Sequence, residues 1–114
     1  MDREEIRTRI EREIEALRQA SEAGRDARAP VELDQTRQGR LSRMDAMQGQ
    51  AMARASEARL RVRIRALQAA LVRIEAGDYG ECTECGNGIS EARLRADPAA
   101  MHCVECAGRM EGQQ

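Results

Sequence analysis

Every cysteine of this chain lies in one of two pairs near the C-terminus, and that pattern restricts the fold more than any other feature. The pairs are Cys82–Cys85 and Cys103–Cys106, with seventeen residues between them. Thiolates are strong ligands for Zn²⁺, and two such turns can complete a tetrahedral shell. Four protein ligands leave no position for water or substrate. The spacing therefore predicts one structural Zn²⁺ ion held by Cys82, Cys85, Cys103 and Cys106.

Two other kinds of site use cysteine pairs, namely redox-active dithiols and iron–sulfur clusters. A redox pair usually opens a helix that follows a strand, and no strand pattern precedes Cys82. His102 adjoins Cys103 and is a competing ligand by position, but we expect it to lie outside the metal shell. Zinc remains the favoured interpretation.

The composition predicts helices that bury a narrow seam. The 114 residues contain no Phe or Trp and a single Tyr, Tyr79, whereas about a third of them are charged. Aromatic side chains supply much of the area buried in a rounded core, and their near absence together with abundant Ala, Arg and Glu is typical of coiled coils.

The first helix is predicted over about residues 2–23. Its apolar residues recur at intervals of four, four and three, which is one stripe of an amphipathic helix. Residues 21–36 contain Gly24 and Pro30 with little apolar repetition, so a loop is expected there. The stripe consists of Ile6, Ile10, Ile14 and Leu17.

A second, longer helix is predicted from about residue 36 to 76, with Asp34 or Ser42 as its N-cap and Gly77 at its end. One stretch has the alternating spacing of four and three that marks a coiled-coil seam, and a smaller, more polar stretch upstream has the same spacing in a different register. The first is Leu60, Ile64, Leu67, Leu71 and Ile74; the second is Leu41, Met44, Gln48, Ala51 and Ala55.

Together these features predict an all-α protein. Residues 1–76 form an antiparallel helical hairpin, a coiled coil, with its tip at about residues 25–46. Residues 77–114 form a small four-cysteine zinc-finger globular end with a short C-terminal helix. Two seams joined by one loop give the hairpin, and the metal supplies folding free energy that a segment poor in aromatics lacks.

Charge and motifs exclude several classes of function. No apolar run resembles a signal peptide or a membrane span, so we expect a soluble, cytoplasmic protein with no membrane partner. The chain has one His and no Cys outside the two pairs, so it offers almost no candidates for a Ser-His or Cys-His nucleophile. We therefore expect that it is not an enzyme. The Arg run is either a solvated basic surface or a docking surface for an acidic partner or a phosphorylated ligand. It consists of Arg59, Arg61, Arg63 and Arg65.

Residues 60–107 resemble the DksA/TraR family of bacterial transcription regulators. The resemblance is carried by the cysteine spacing, by the entry Gly77-Asp-Tyr-Gly-Glu-Cys82, and by a middle segment with Ile89, Arg93-Leu94 and Pro98. It implies a zinc-finger end that carries a long coiled coil. It also implies a monomer that binds RNA polymerase through the secondary channel and modulates initiation, as at ribosomal promoters in the stringent response, without binding DNA.

The resemblance also suggests site residues. The family has an Asp and an Ala near the coiled-coil tip, and here Asp45 and Ala46 are the preferred counterparts, supported by Arg43 and Asp34. An ungapped count back from Cys82 instead places the family's Asp on Ser42 and its neighbouring Arg on Arg43. The resemblance further suggests that three basic residues contact the family's co-effector ppGpp or the polymerase. They are Arg59, Arg93 and Arg95.

Two other functions stay open on the sequence. One is a zinc-dependent thiol or redox sensor built on the same four cysteines. The other is a zinc-ribbon module that binds DNA. The second is disfavoured because residues 76–114 carry three Arg against seven acidic residues, and nucleic-acid binding draws on basic surface.

Overall fold

The computed structural model describes residues 2–31 and 39–112. Within those ranges it contains five helices and no strand, only an isolated bridge between Glu81 and Gly88. This confirms the predicted all-α class. The helices are α1 (Arg3–Ala23), α2 (Arg25–Arg28), α3 (Arg40–Ala76), α4 (Glu91–Ala96) and α5 (Val104–Gly112).

The first helix begins where Asp2 can cap it. Its carboxylate accepts a hydrogen bond from the Glu4 backbone N–H at 2.9 Å, and Glu4 and Glu5 in the first turn complement the helix dipole. α1 continues to Ala23, beyond the predicted start of the loop at residue 21. The four-residue helix α2 follows Gly24 and was not predicted, because so short a segment has no readable periodicity.

The start of α3 differs from the expectation in one respect. The helix begins at Arg40, and the Arg43 N–H already bonds the Gly39 carbonyl at 3.2 Å. Ser42 therefore lies inside the first turn and is not the N-cap. The other predicted cap, Asp34, lies outside the described residues.

The end of α3 is a Schellman motif. Gly77 has φ +82°, the Gly77 N–H bonds the Ile74 carbonyl at 3.2 Å, and the Asp78 N–H bonds the Arg73 carbonyl at 2.9 Å. A left-handed residue is required at this position, and glycine adopts that conformation without steric cost. The predicted role of Gly77 is confirmed.

The described chain divides into two compact units, residues 1–14 with 65–114 and residues 15–64. In the first unit, stripe residues of α1 and seam residues of α3 are buried, and Arg7 pairs with Glu75 at 2.5 Å between the start of α1 and the end of α3. The two helices are therefore antiparallel there, as predicted. The buried residues are Ile10 and Ile14 of the stripe, Leu67 and Ile74 of the seam, and Ala70, which lies outside the predicted seam.

In the second unit the predicted upstream seam is wrong. Leu41, Met44, Gln48, Ala51 and Ala55 are all exposed. The half-buried or buried residues of α3 in this unit instead recur in phase with Leu60, at Gln50, Ala53 and Glu57. One seam therefore continues without a change of register, and two of its members are polar because they bond to the facing segment.

Glu57 is the centre of that polar stretch and the only buried charged residue in the part of the chain that the structure describes. Its Oε1 accepts hydrogen bonds from the Ser21 hydroxyl at 2.7 Å and from Arg61 Nε at 2.9 Å. Its Oε2 receives no hydrogen bond from a described residue, and Arg28 Nη1 lies 3.3 Å from it as an ion pair. Farther along, Gln50 donates to the Ala29 carbonyl at 2.7 Å. These bonds define the antiparallel pairing of this unit.

The domain boundary predicted between residues 76 and 77 stays a prediction.

No helix among the described residues combines the length and apolar character that a membrane span requires.

Candidate metal centre

The first cysteine pair lies in a tight turn just after α3. The Gly86 N–H bonds the Cys82 carbonyl at 2.9 Å, and the Cys82 N–H bonds the Asn87 carbonyl at 2.8 Å. Gly86 has φ +76°, which lets the chain turn directly after Cys85. The Ile89 N–H then closes the small hairpin on the Gly80 carbonyl at 2.7 Å. The two thiols of the pair are thereby held on one side of the turn.

The second pair sits at the start of α5. Cys103 immediately precedes the helix and Cys106 lies in its first turn. The Cys106 N–H points at the Cys103 sulfur over 3.4 Å, as expected for a helix N-terminus that faces a thiolate. The Thr83 N–H bonds the Met101 carbonyl at 2.9 Å and holds the segment before α5 against the first turn.

The four sulfur atoms form one compact cluster. All of them lie within 4.8 Å of one another, and the sulfurs of Cys85 and Cys103 are 3.8 Å apart. A tetrahedral Zn²⁺ with Zn–S bonds of about 2.3 Å requires sulfurs roughly 3.8 Å apart. The donor set and its spacing therefore fit one Zn²⁺ ion. His102 is not in the group, and its carbonyl accepts a hydrogen bond from Arg93 at 2.8 Å.

The apolar core beside this site is very small. It consists of Ile89, Leu94 and two of the ligands themselves, Cys82 and Cys106, with Tyr79 packed against them. The Tyr79 hydroxyl donates to the Pro98 carbonyl at 2.8 Å, which satisfies the polar end of the one aromatic residue. Leu94 is held in place by α4, whose N-cap Ser90 accepts the Arg93 N–H at 3.2 Å.

The thiols of this cluster differ in acidity. Backbone hydrogen bonds at Cys103, then at Cys85 and Glu84, lower the pKa of the Cys82 thiol to about 6. A hydrogen bond to Cys103, then burial and the other sulfurs, raise the pKa of Cys106 to about 12. The thiols must give up their protons to bind Zn²⁺, so the affinity of the site falls as pH falls.

Arg109 contacts a predicted metal ligand, and the cysteine pattern did not predict this contact. It lies one turn after Cys106 on α5, and its Nη2 is 3.1 Å from the Cys106 sulfur. A cation at this distance offsets the negative charge that four thiolates bring to Zn²⁺. The sequence contained one indication of this contact, because Arg109 follows Cys106 by three residues and residues at that spacing share one side of a helix.

Arg109→Gln is expected to speed the loss of Zn²⁺ to a competing chelator by about tenfold, because the Cys106 thiolate loses its charged hydrogen-bond donor. The measurement follows zinc release with a coloured chelator at neutral pH. Arg95→Gln is a suitable control, since Arg95 pairs with Glu91 at 2.7 Å and not with a ligand. Equal release rates for the two variants would exclude this role for Arg109.

The residues predicted to contact ppGpp or polymerase lie on two different helices. Arg93 and Arg95 share α4; the Arg95 carbonyl accepts a hydrogen bond from Arg9 at 2.7 Å. Arg59 lies on α3 in the other unit and donates to the Ser56 hydroxyl at 3.0 Å. The structure therefore does not bring the three predicted ppGpp contacts together within one unit.

The predicted tip residues lie at the start of α3. Asp45 and Ala46 are exposed, and Arg43 is half-buried. Asp34 lies outside the described residues. The assignment of these four as tip contacts stays a prediction.

Residues 77–112 match the family model of the prokaryotic dksA/traR C4-type zinc finger. An uncharacterized protein of Aquifex aeolicus (strain VF5) is 44% identical over 48 residues, which are 42% of this chain and 33% of that protein. The chain thus matches about a third of the length of that curated relative.

The fold as a whole is similar to the solved structure of transcription factor DksA2 from Pseudomonas aeruginosa. The TM-score is 0.79 at 23% identity, and the alignment covers 97% of this chain and 84% of that one. Residues 77–112 are thus similar to the dksA/traR C4-type zinc finger, and the fold of the chain is similar to that of DksA2.

Proposed function

We propose that this protein is a transcription factor that binds RNA polymerase directly and modulates initiation without contacting DNA. The observation that carries the proposal is the combination of a DksA/TraR zinc finger with a helical hairpin of the DksA fold. The closed set of four cysteine ligands supports it, because a structural metal leaves the working surface to the helices.

In this proposal the hairpin enters the secondary channel of the polymerase and the zinc finger stays at the channel entrance. The exposed start of α3 then approaches the active-site region, with Asp45 as the principal contact and Ala46, Arg43 and Asp34 beside it. An exposed carboxylate in such a position can act on bound metal or on basic residues of the polymerase through its charge.

Asp45→Asn is expected to abolish the effect on initiation while polymerase binding changes less than about threefold, since one exposed contact carries little of the binding energy. The measurement compares transcript yield from a ribosomal promoter, using purified polymerase, with binding of labelled protein to the same polymerase. Glu11→Gln is a matched control, because Glu11 is an exposed carboxylate of α1 that lies outside the predicted tip.

Unchanged initiation on addition of the unmodified protein, together with no polymerase binding, would refute the proposal. Loss of binding by Asp45→Asn would instead make Asp45 a docking residue. The same assay with and without ppGpp tests the co-effector. A response lost in Arg93→Ala or Arg95→Ala would support those contacts, and a response lost in Arg59→Ala would support a contact on α3.

The alternative function is a zinc-dependent redox sensor, and one observation supports it. Cys85 is exposed, and its sulfur lies 3.8 Å from that of Cys103. Counting zinc and free thiols under mild oxidant separates the two functions. Zinc release with disulfide formation at low oxidant supports the sensor, whereas retained zinc supports the structural site.

A further inference from the structure

Helix α3 has a second heptad seam, on the face turned away from α1. Within residues 41–62 its members recur at intervals of three and four, and all but one are apolar. We call this set the outer seam: Leu41, Met44, Gln48, Ala51, Ala55, Ala58 and Val62.

The outer seam is exposed along its whole length. Leu41 is 77% exposed, Met44 is 56% exposed and Val62 is 57% exposed. The members between them are exposed as well. Large apolar side chains that recur at seam spacing and stay in solvent mark an interaction surface rather than scattered surface residues.

The buried face of α3 explains why this surface is free. Gln50, Ala53, Glu57 and Leu60 are half-buried or buried, and Gln50 and Glu57 bond to residues of the facing segment. Each of these four residues lies two positions after a residue of the outer seam. On a helix, two positions correspond to a rotation of about 200° around the axis. In this unit α1 and α2 therefore meet one face of α3, and the outer seam lies on the opposite face.

The side chains of the outer seam fit a helix as the occupant. Ala51, Ala55 and Ala58 are small, and small residues at a contact let two helix axes approach closely. Toward the N-terminal end of α3 the stripe widens, because Met47 and Met52 flank it and are 53% and 65% exposed. Methionine adapts its shape to different apolar partners.

The charges beside the outer seam determine which helix fits. Three arginines occupy the flanking positions around Ala55 and Ala58, namely Arg54, Arg59 and Arg61. All three are exposed, and the Arg61 side chain is 69% exposed although it also pairs with Glu57 on the other side. Flanking charges select the partner of a coiled-coil seam, so the complementary helix carries Glu or Asp beside its own apolar stripe.

A second copy of this chain does not meet that requirement through the same surface. If two outer seams paired in parallel, Arg54 of one copy would face Arg59 of the other. In either orientation Asp45, the one acidic residue beside the seam, could offset only one of the three arginines, so like charges oppose pairing. From the seam, its exposure and its flanking charges we infer that the outer seam of α3 is a docking site for an acidic amphipathic helix of a protein partner.

The test uses a labelled synthetic peptide of about three heptads with Leu at a, Ala at d and Glu at the flanking e and g positions. A second peptide carries Lys in place of Glu. Binding to the full, zinc-loaded chain is followed by fluorescence anisotropy. We expect the Glu peptide to bind at least about tenfold more tightly than the Lys peptide and to lose affinity as salt is added.

Ala55→Glu is expected to weaken binding of the Glu peptide at least about tenfold, since it buries an unpaired carboxylate in the contact. Ala20→Glu is the matched control, because Ala20 is an exposed residue of α1 in the same unit. We expect it to bind like the unmodified chain. Far-UV circular dichroism checks that both variants keep their helices, since Glu is a good helix former.

Three outcomes would overturn the inference: no binding of the Glu peptide, equal binding of the Glu and Lys peptides, or equal effects of Ala55→Glu and Ala20→Glu. Sedimentation as a dimer that Ala55→Glu dissociates would also overturn it, because a second copy would then occupy the surface. The titration contains no polymerase, so its failure would leave the proposed function untouched.

Discussion

Removal of Zn²⁺ is expected to unfold the zinc-finger segment, residues 77–112. Its buried cluster contains only four residues, and two of them, Cys82 and Cys106, are ligands. Structural Zn²⁺ typically contributes about 10–16 kcal/mol of apparent binding free energy, far more than two buried aliphatic side chains such as Ile89 and Leu94 supply. Hydrogen exchange with peptide-level readout, before and after chelation, measures the effect.

The expected result is loss of amide protection in residues 79–107 after chelation, with protection kept in residues 50–62, whose pairing in the other unit needs no metal. Cys82→Ser should reproduce the loss, since a hydroxyl is a poor zinc ligand. Glu84→Gln is a control in the same turn that leaves every sulfur in place. Protection that survives chelation would show that the small apolar core folds this segment without metal.

Glu57→Gln is expected to lower the melting temperature by roughly 5 °C or more, because Arg28 would remain in a largely buried position without its counter-charge. A thermal melt followed by circular dichroism at pH 7 measures it. Glu22→Gln is the matched control, since Glu22 pairs with Arg25 at 3.2 Å with both side chains 72% exposed, and exposed pairs contribute little. Equal effects of the two variants would contradict a structural role for the buried pair.

The pH dependence of the Glu57 effect has a defined sign. The Ser21 hydroxyl, and after it Arg61, hold the pKa of Glu57 below its ordinary value of 4.5. A carboxyl group with a lowered pKa stabilises the fold fully above that ordinary value and loses the contribution as pH falls through the lowered pKa. The advantage of the unmodified chain over Glu57→Gln should therefore stay constant from pH 7 to about 5 and shrink in stronger acid.

The zinc site and the C-terminal end of α3 could be predicted from local sequence. Four cysteines at this spacing have few alternative uses, and Gly77 marks the end of α3 because only a left-handed residue completes the Schellman motif. Arg109 could not be assigned in the same way. Its role depends on a side-chain contact with Cys106 that many arginines near a ligand would not make.

The seam of α3 shows where apolar periodicity misleads. Leu41, Met44 and Ala55 have seam spacing and are exposed, whereas Gln50 and Glu57 are polar and lie on the inner face. A polar residue occupies a buried position when a facing residue satisfies it, and here Ser21 and the Ala29 carbonyl do so. Those partners lie 36 and 21 residues away along the chain, so the pattern of one helix cannot reveal them.

Photo-crosslinking most directly tests the proposal that the hairpin acts inside RNA polymerase while the zinc finger stays outside. A photoreactive residue is placed at position 45, at the start of α3, or at exposed position 111, on α5. We expect position 45 to crosslink to polymerase segments lining the secondary channel near the active site, and we expect no such crosslinks from position 111. Crosslinks to the channel from position 111, or none from position 45 when the protein is bound, would contradict it.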